Sequence, residues 1–203
     1  SWHLPFSRTM DISVLSDSAR MANVEFLTEM IAICGELGPK KLVLHPSSEP
    51  IADADREQRI LNSIASIGVL RRVAARIGAE LCIEDLPRTC LGRNSAELLR
   101  IIAPYPDVKI CFDTNHLLSE DLLDFVEACG DRIGTVHVSD YDMVDERHWL
   151  PGKGKIDWPV LYKALMKAGY KGVFMYELKR GEGSFGEMVA IYEEMASDAA
   201  KLK

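Results

Sequence analysis

Six polar residues in this sequence close or follow short apolar runs, and all six are of types that bind metal ions or transfer protons. They are His3, His45, Glu84, Asp113, His137 and Glu177. A single polar side chain at the end of a strand is usually a solvated cap. Six in succession, limited to imidazole and carboxylate groups, instead predict one shared polar site suited to metal binding or acid/base chemistry.

Helical and strand-like patterns alternate along the chain and would position these residues. The first helical pattern, from Asp17 to Gly38, repeats its apolar positions every three or four residues and ends at Gly38-Pro39. Later strand-like runs are KLVLHPS, ELCIEDLP, VKICFDT, IGTVHVSD and GVFMYEL. Strands that alternate with helices predict right-handed βαβ units and a parallel sheet covered by helices.

A residue suited to a packed interior stands two positions before five of the six polar groups. These earlier residues are Val43, Cys82, Cys111, Thr135 and Met175. Because side chains alternate faces along a strand, both members of each pair point the same way. If the strands curl into a barrel, the earlier residue fills the interior and the later one lies at the carboxyl-terminal mouth.

Length, charge and cysteine content limit the classes of function. A chain of 203 residues with 47% hydrophobic content can bury one substantial core, so a single domain over residues 1–203 is expected. The net charge of -7 argues against a nucleic-acid partner. Five cysteines without a C-x-x-C pair predict reduced thiols. The lack of a long apolar span or signal pattern predicts a soluble cytoplasmic protein without membrane contact. The outer helix faces could support a homo-oligomer, but nothing specifies one.

Seven motifs, in order, resemble the xylose isomerase-like TIM-barrel superfamily, and especially its sugar phosphate isomerase/epimerase proteins. They are HLPF, VLHPS, CIEDLP, CFDTNH, VHVSDYD, HWLPGKGKIDW and FMYEL, and together they cover nearly the whole chain. Tagatose and psicose 3-epimerases, hydroxypyruvate isomerase, inosose isomerases and dehydratases, and endonuclease IV share this resemblance. It implies an α/β fold, the (β/α)8 TIM barrel, with HLPF on the third strand. Six strands are therefore expected here, without the first two strand-helix units.

For the site, the resemblance implies one divalent cation bound by Glu84, Asp113, His137 and Glu177. Three carboxylates and one imidazole favour Mn²⁺ first, with Mg²⁺, Co²⁺ and Zn²⁺ as alternatives. In the epimerases, the positions matching Glu84 and Glu177 also remove and return a proton, so that an enediolate forms. The predicted activity is isomerisation or epimerisation of a small sugar, sugar phosphate or related keto-polyol. A dehydratase with the same metal site is an alternative.

The same resemblance implies five substrate-binding residues: His3, His45, His116, Arg147 and His148. Psicose-type epimerases carry a substrate-binding arginine at the place of His148, whereas Arg147 stands one residue earlier in this chain. The departure puts a ketohexose epimerase activity in doubt.

A phosphodiesterase similar to endonuclease IV is the main alternative. In that enzyme the loop matching DERHWLPGKGKID supplies an acidic residue and a histidine to a cluster of three zinc ions, and Glu146 and His148 stand at those places. With the six strand-end residues and His116, all nine positions of that cluster hold a potential ligand. The acidic chain and the lack of interleaved basic and aromatic residues favour the single-metal sugar enzyme. A non-catalytic binding module is a third alternative if the barrel stays open.

The segment GEGSFG matches the G-x-G-x-x-G pattern of dinucleotide sites, and Ser184 and Glu187 have the spacing of a capping box. No strand-like run follows before Lys203, so the βαβ unit that a dinucleotide site needs is missing. Beside Lys179 and Arg180, this turn could instead bind a substrate phosphate. A solvated loop explains it equally well.

Overall fold

The computed structural model describes residues 1–179 and, beyond them, residues 189, 190, 193 and 197. Within this part of the chain, six strands alternate with five helices: β1 (Trp2–His3), α1 (Asp17–Gly35), β2 (Lys41–Leu44), α2 (Asp53–Arg76), β3 (Glu80–Glu84), α3 (Ser95–Ile102), β4 (Lys109–Asp113), α4 (Leu122–Cys129), β5 (Ile133–Val138), α5 (Trp158–Lys167) and β6 (Phe174–Tyr176). A 3-10 turn at Gly130–Arg132 joins α4 to β5. The GEGSFG segment and the capping box lie outside the described residues.

The strands form one parallel sheet in the order β1-β2-β3-β4-β5-β6. The sheet is curled, so that its two ends approach each other: the Ser1 hydroxyl, just before β1, donates a hydrogen bond to the Met175 sulfur of β6 at 3.2 Å. A helix connects each strand to the next, as parallel pairing of consecutive strands requires. The predicted α/β class and the six parallel strands are confirmed. No helix in the described ranges is long and apolar enough to cross a bilayer.

The first helix shows how local sequence sets these boundaries. It begins after Ser16, whose hydroxyl accepts a hydrogen bond from the Ala19 amide, and its buried face carries Val24, Leu27, Ile31 and Cys34. The predicted end at Gly38 is three residues too late. From Glu36 to Gly38 each backbone N–H bonds to the carbonyl three residues back, which tightens the chain, and Gly38 then adopts a φ of 60°.

Two packed layers stabilise the fold. The larger lies between the helices and the outer face of the sheet, where residues such as Leu42, Ile83 and Phe112 are buried. The smaller lies inside the curl and consists of Val43, Cys82 and Cys111. The predicted interior positions are therefore confirmed for these three residues, and all five cysteines are buried free thiols, as predicted.

A glycine sets the alignment of β4 with β5. The register between these strands shifts after Ile110, and beyond the shift Asp113 pairs with His137. A Cβ on Gly134 would lie 2.7 Å from the Lys109 Cβ and 3.1 Å from the Cys82 sulfur, so a larger residue does not fit there. The absence of a side chain thus allows the irregularity that places Asp113 beside His137.

Arg56 holds the loop that follows β3. Its guanidinium donates two hydrogen bonds of 2.7 Å to the Glu97 carboxylate and two more to the carbonyls of Thr89 and Cys90. Both members of this ion pair are largely buried. Breaking a buried pair leaves an uncompensated charge, so Arg56→Ala is expected to lower the free energy of unfolding by ~3–5 kcal/mol.

Urea denaturation measures this loss, and Arg100→Ala is the control. Arg100 also pairs with a carboxylate, that of Glu57, but on the surface. Its removal should leave the denaturation midpoint almost unchanged. Equal midpoints for the two variants would show that the Arg56 pair contributes nothing beyond a surface contact.

Candidate active site

Four residues predicted as metal ligands converge at the carboxyl-terminal end of the sheet. Glu84 and Asp113 close β3 and β4, His137 is the penultimate residue of β5, and Glu177 directly follows β6. One candidate ligand atom from each lies within 4.8 Å of the others. The Glu84 and Asp113 side chains are fully buried, that of His137 nearly so, and that of Glu177 is 36% exposed. We call these residues the primary cluster.

His137 lies between two carboxylates of the primary cluster. Its Nδ1 atom is 2.8 Å from a Glu84 oxygen and 2.5 Å from a Glu177 oxygen. Burial lowers the pKa of His137, but the hydrogen bonds to Glu177 and Glu84 outweigh burial and raise this pKa to about 10. The same contact with His137 outweighs burial at Glu177 and lowers its pKa. A positive charge among three carboxylates is therefore strongly favoured.

Glu84 is the most heavily hydrogen-bonded carboxylate of the site. One of its oxygens faces His137 and, at 3.8 Å, the Cys111 thiol. The other lies 2.9 Å from the Nε2 of His3 and 3.0 Å from that of His45. Burial raises the pKa of Glu84, but the hydrogen bonds from the imidazoles outweigh burial and hold this pKa well below its ordinary value. His3, His45 and Glu84 form a second donor set that shares Glu84 with the primary cluster.

The two carboxylate oxygens of Asp113 differ in their hydrogen bonds. Its Oδ1 accepts a hydrogen bond from the Asn115 amide at 2.7 Å, whereas its buried Oδ2 has no hydrogen-bond partner among the described residues. That Oδ2 lies 3.8 Å from the His116 Nε2 and 4.0 Å from the His137 Nδ1, beyond hydrogen-bond distance of both. Burial raises the pKa of Asp113 to about 6. An unsatisfied buried carboxylate oxygen is costly, and a bound cation would satisfy it.

Asp85 supports the position of Asp113. The sequence indicated only that Asp85 is adjacent to the site and did not predict this role. Its Oδ1 accepts the Asp113 backbone N–H at 2.7 Å, and the Asp85 backbone carbonyl lies 2.8 Å from the His116 Nδ1. The Asp85 side chain is fully buried, and burial raises its pKa well above the ordinary value. Asp85 thus orients two residues of the site from one position.

A third donor set lies beside the primary cluster and consists of His116, Glu146 and His148. The Glu146 Oε1 is 3.4 Å from the His116 Nε2 and 3.5 Å from the His148 Nε2. Burial lowers the pKa of His116, but the charge of Asp113 and the contact with Glu146 raise it well above the ordinary value. Asn115 holds the loop in place, since its side-chain oxygen accepts the backbone N–H groups of Arg147 and His148.

Arg147 is the predicted substrate contact that the structure does not bring into the three donor sets. Its guanidinium pairs with Asp142 at 2.8 Å and lies 5.9 Å from the centre of the Trp149 ring. In this arrangement its charge is already engaged within the loop.

Phe6 was not predicted from the sequence, yet its ring stacks on His45 at 4.1 Å and is 56% exposed. An exposed phenylalanine has no distinguishing pattern in one sequence.

The β5–α5 loop, residues 139–157, is organised by Asp140. The carboxylate of this fully buried residue accepts hydrogen bonds from the Tyr141, Gly152 and Ile156 amides and from the Trp158 indole. Its backbone N–H and carbonyl both pair with Trp149. Asp140 therefore fixes the loop that carries Glu146 and His148.

Gly154→Ala is expected to disrupt this loop. The added Cβ would lie 2.2 Å from the Asp140 Oδ1 and from the Tyr141 carbonyl oxygen, so backbone would have to move. Overpacking of this kind destabilises by ~1–3 kcal/mol, and hydrogen exchange should accelerate across residues 139–157. Gly38→Ala is the control, because among the described residues no atom beyond its two chain neighbours lies within 4 Å of its added Cβ, and left-handed backbone strain is the cost. Unchanged exchange in the loop would contradict the close packing around Asp140.

Comparison with known proteins agrees with the observed fold. A family model described as "Xylose isomerase-like TIM barrel" matches residues 1–199. A solved structure, "Crystal structure of D-tagatose 3-epimerase-like protein", superposes with a TM-score of 0.80 at 24% identity, covering 97% of this chain and 78% of that one. At that identity the superposition establishes the TIM-barrel fold alone.

Two relatives are similar in sequence. The protein MJ1311 of Methanocaldococcus jannaschii is 27% identical over 186 residues, which cover 87% of this chain and 63% of that protein. Fructoselysine 3-epimerase of Escherichia coli O157:H7 is 23% identical over 175 residues, covering 82% of this chain and 57% of the relative. This chain thus spans about three fifths of the length of these two relatives.

Proposed function

Because this chain belongs to the xylose isomerase-like TIM-barrel family, we propose that it isomerises or epimerises a small sugar, sugar phosphate or related keto-polyol with one divalent cation. The convergence of Glu84, Asp113, His137 and Glu177 carries this proposal. Similarity to a fructoselysine 3-epimerase supports the reaction class. The substrate-binding and catalytic roles below are part of the same proposal.

The primary cluster fits a divalent cation on two observations. Three carboxylates share a small buried volume with one imidazole, and the buried Asp113 Oδ2 lacks a hydrogen-bond donor among the described residues. Three oxygen ligands and one nitrogen ligand favour Mn²⁺, with Mg²⁺, Co²⁺ and Zn²⁺ as alternatives. When bound, such an ion would polarise the substrate carbonyl and stabilise negative charge that develops on its oxygen.

Glu84 and Glu177 differ in a way that suits two acid/base roles. Glu84 is fully buried and is hydrogen-bonded to several imidazoles, whereas Glu177 is 36% exposed and contacts His137. We assign Glu177 as the group that exchanges its proton with solvent, and Glu84 as the group that transfers a proton on the opposite face of the substrate. One carboxylate removes a proton from the carbon next to the carbonyl. If the other returns a proton to the opposite face of the same carbon, the stereocentre is inverted; if a proton returns to the former carbonyl carbon and a hydroxyl proton passes between the two oxygens, the carbonyl moves.

Four imidazoles around the primary cluster would bind the substrate hydroxyls. His3 and His45 lie on the Glu84 side, while His116 and His148 lie on the side of the β5–α5 loop. An imidazole nitrogen donates a hydrogen bond to a hydroxyl oxygen when it carries a proton and accepts one from the hydroxyl when it does not, so either protonation state can bind a sugar hydroxyl. Arg147 could join them only after its guanidinium leaves Asp142.

Solvent-deuterium incorporation tests the proposal. The purified protein with added Mn²⁺ is incubated in D₂O with a panel of ketoses and ketose phosphates, and deuterium next to the carbonyl is followed by NMR. The expected result is exchange in at least one member of the panel. A protein that carries bound Mn²⁺ but exchanges no proton in any of them would contradict the proposed reaction.

Metal-dependent phosphodiester hydrolysis is a second candidate, favoured by one observation. The nine residues that match the endonuclease IV cluster are brought together here as three donor sets, and Glu84 bridges two of them. Such an arrangement could hold three zinc ions. Metal stoichiometry distinguishes this candidate from the single-cation sugar enzyme.

A further inference from the structure

Arg88 connects three loops at the carboxyl-terminal end of the sheet. It lies on the loop after β3 and contacts Glu49 on the loop after β2 at 3.1 Å. On the β5–α5 loop it contacts Asp145 at 2.8 Å and forms a further ion pair with Glu146. A guanidinium has five donors in a fixed planar fork, which suits simultaneous contact with several carboxylates.

The two oxygens of Glu146 have different partners. Its Oε2 pairs with Arg88, and its Oε1 faces the Nε2 atoms of His116 and His148 at 3.4 and 3.5 Å. A glutamate side chain on a loop can adopt several staggered rotamers, and Glu146 is only 22% exposed. The bond to Arg88 selects the rotamer in which the second oxygen points at both imidazoles.

The Arg88 backbone also indicates a constraint. Its φ is 53°, a left-handed conformation that a residue with a Cβ adopts at a cost of ~1–2 kcal/mol. Such outliers persist where surrounding contacts hold them, and they are common at functional sites. The contacts to Glu49, Asp145 and Glu146 are contacts of this kind.

We propose that Arg88 is a positioning residue for the site. It fixes the Glu146 carboxylate, which in turn orients His116 and His148 toward the substrate, and it ties the β5–α5 loop to the loops after β2 and β3. The substrate part of this statement rests on the proposed function. The orientation of the two imidazoles and the tethering of the loop do not.

The first test measures orientation and tethering without any substrate. Arg88→Ala is compared with wild type by hydrogen exchange and by the ¹⁵N resonances of the histidine side chains. Amides at residues 142–149 are expected to exchange about 10-fold faster or more, and the resonances of His116 and His148 to shift while those of His3 and His45 stay in place. Arg88→Lys keeps the charge but not the fork and should restore only part of both signals. If Arg88→Ala does not fold, Arg88→Gln serves in its place.

The second test uses a ketose that the wild type exchanges. Loss of a partner that orients a site residue typically costs 10–100-fold, so the KM of Arg88→Ala should rise about 10–100-fold with kcat within about threefold and the Mn²⁺ content unchanged. Arg100→Ala, which removes a surface arginine paired with Glu57, is the matched control. The proposal is wrong if Arg88→Ala and Arg100→Ala give the same loop exchange and the same histidine resonances. If the wild type exchanges no ketose, the proposed function fails, and the first test still decides the role of Arg88.

Discussion

Replacement of Glu177 by glutamine is expected to slow deuterium incorporation into a ketose substrate by about 10²–10⁴-fold. Glutamine keeps the size and one oxygen of the side chain but cannot accept and release a proton. Glu177 is the partly exposed carboxylate of the primary cluster, at 36% against full burial for Glu84, so it is the group that solvent can reprotonate during turnover. Loss of this function should therefore appear first as loss of exchange with the solvent.

The measurement separates catalysis from metal binding. Exchange rates of Glu177→Gln and wild type are compared at equal Mn²⁺ content, which is determined on the same samples. Glu25→Gln, at an exposed position of α1, is the matched control and should exchange protons at the wild-type rate. A Glu177→Gln protein with full Mn²⁺ content and wild-type exchange would remove Glu177 from the acid/base role.

The alternation of strand side chains explains why the primary cluster could be predicted from the sequence. In β3, Glu80, Cys82 and Glu84 point into the curl, and β4 repeats the pattern with Lys109, Cys111 and Asp113. Since parallel strands end at the same edge, the last residue of each is brought to one place without any contact being specified. The class of fold and the convergence of the strand-end side chains follow from periodicity, whereas the choice of these four as the ligand set came from the resemblance to the family.

The loop contacts could not be predicted, for a different physical reason. Asp85, Arg88 and Asp140 act through hydrogen bonds to distant partners. The partner of Asp85 lies at the end of another strand, that of Arg88 lies in another loop, and those of Asp140 lie up to 18 residues away in the same region. Loop residues have no repeating pattern that relates position to direction. Adjacency to the site was the only signal for Asp85 and Asp140, and Arg88 had none.

The primary cluster and the His116–Glu146–His148 set differ in their net charge. Three carboxylates in the primary cluster would repel one another, and the imidazole of His137, with a pKa of about 10, offsets part of that repulsion. The neighbouring His116–Glu146–His148 set carries its own carboxylate, which Arg88 partly neutralises. The primary cluster therefore has the larger excess of negative charge, and a first divalent cation should bind there.

Asp113→Asn is expected to abolish tight binding of this first cation, with a loss of affinity of more than about 100-fold. The substitution removes the charge of the buried carboxylate and can turn an amide N–H toward the ion. Wild-type protein should retain about one equivalent of Mn²⁺ after dialysis. When the free Mn²⁺ concentration is 100 times the dissociation constant, the bound ion would stabilise the fold by ~2.7 kcal/mol. A chelator should therefore lower the melting temperature of wild type but not that of Asp113→Asn. Asp107→Asn, a surface position paired with Arg71, is the matched control and should keep the ion.

The same measurement with Zn²⁺ decides between the two candidate functions. One equivalent in wild type, unchanged by His148→Ala, agrees with a single-cation sugar enzyme. Three equivalents, reduced to two by His148→Ala, would show that the His116–Glu146–His148 set binds an ion of its own and would favour phosphodiester hydrolysis. Because this set and the primary cluster share no residue, His148→Ala should leave the ion at Asp113 in place. A wild-type protein with no retained ion would contradict both functions, since each depends on a cation at Glu84, Asp113 and His137.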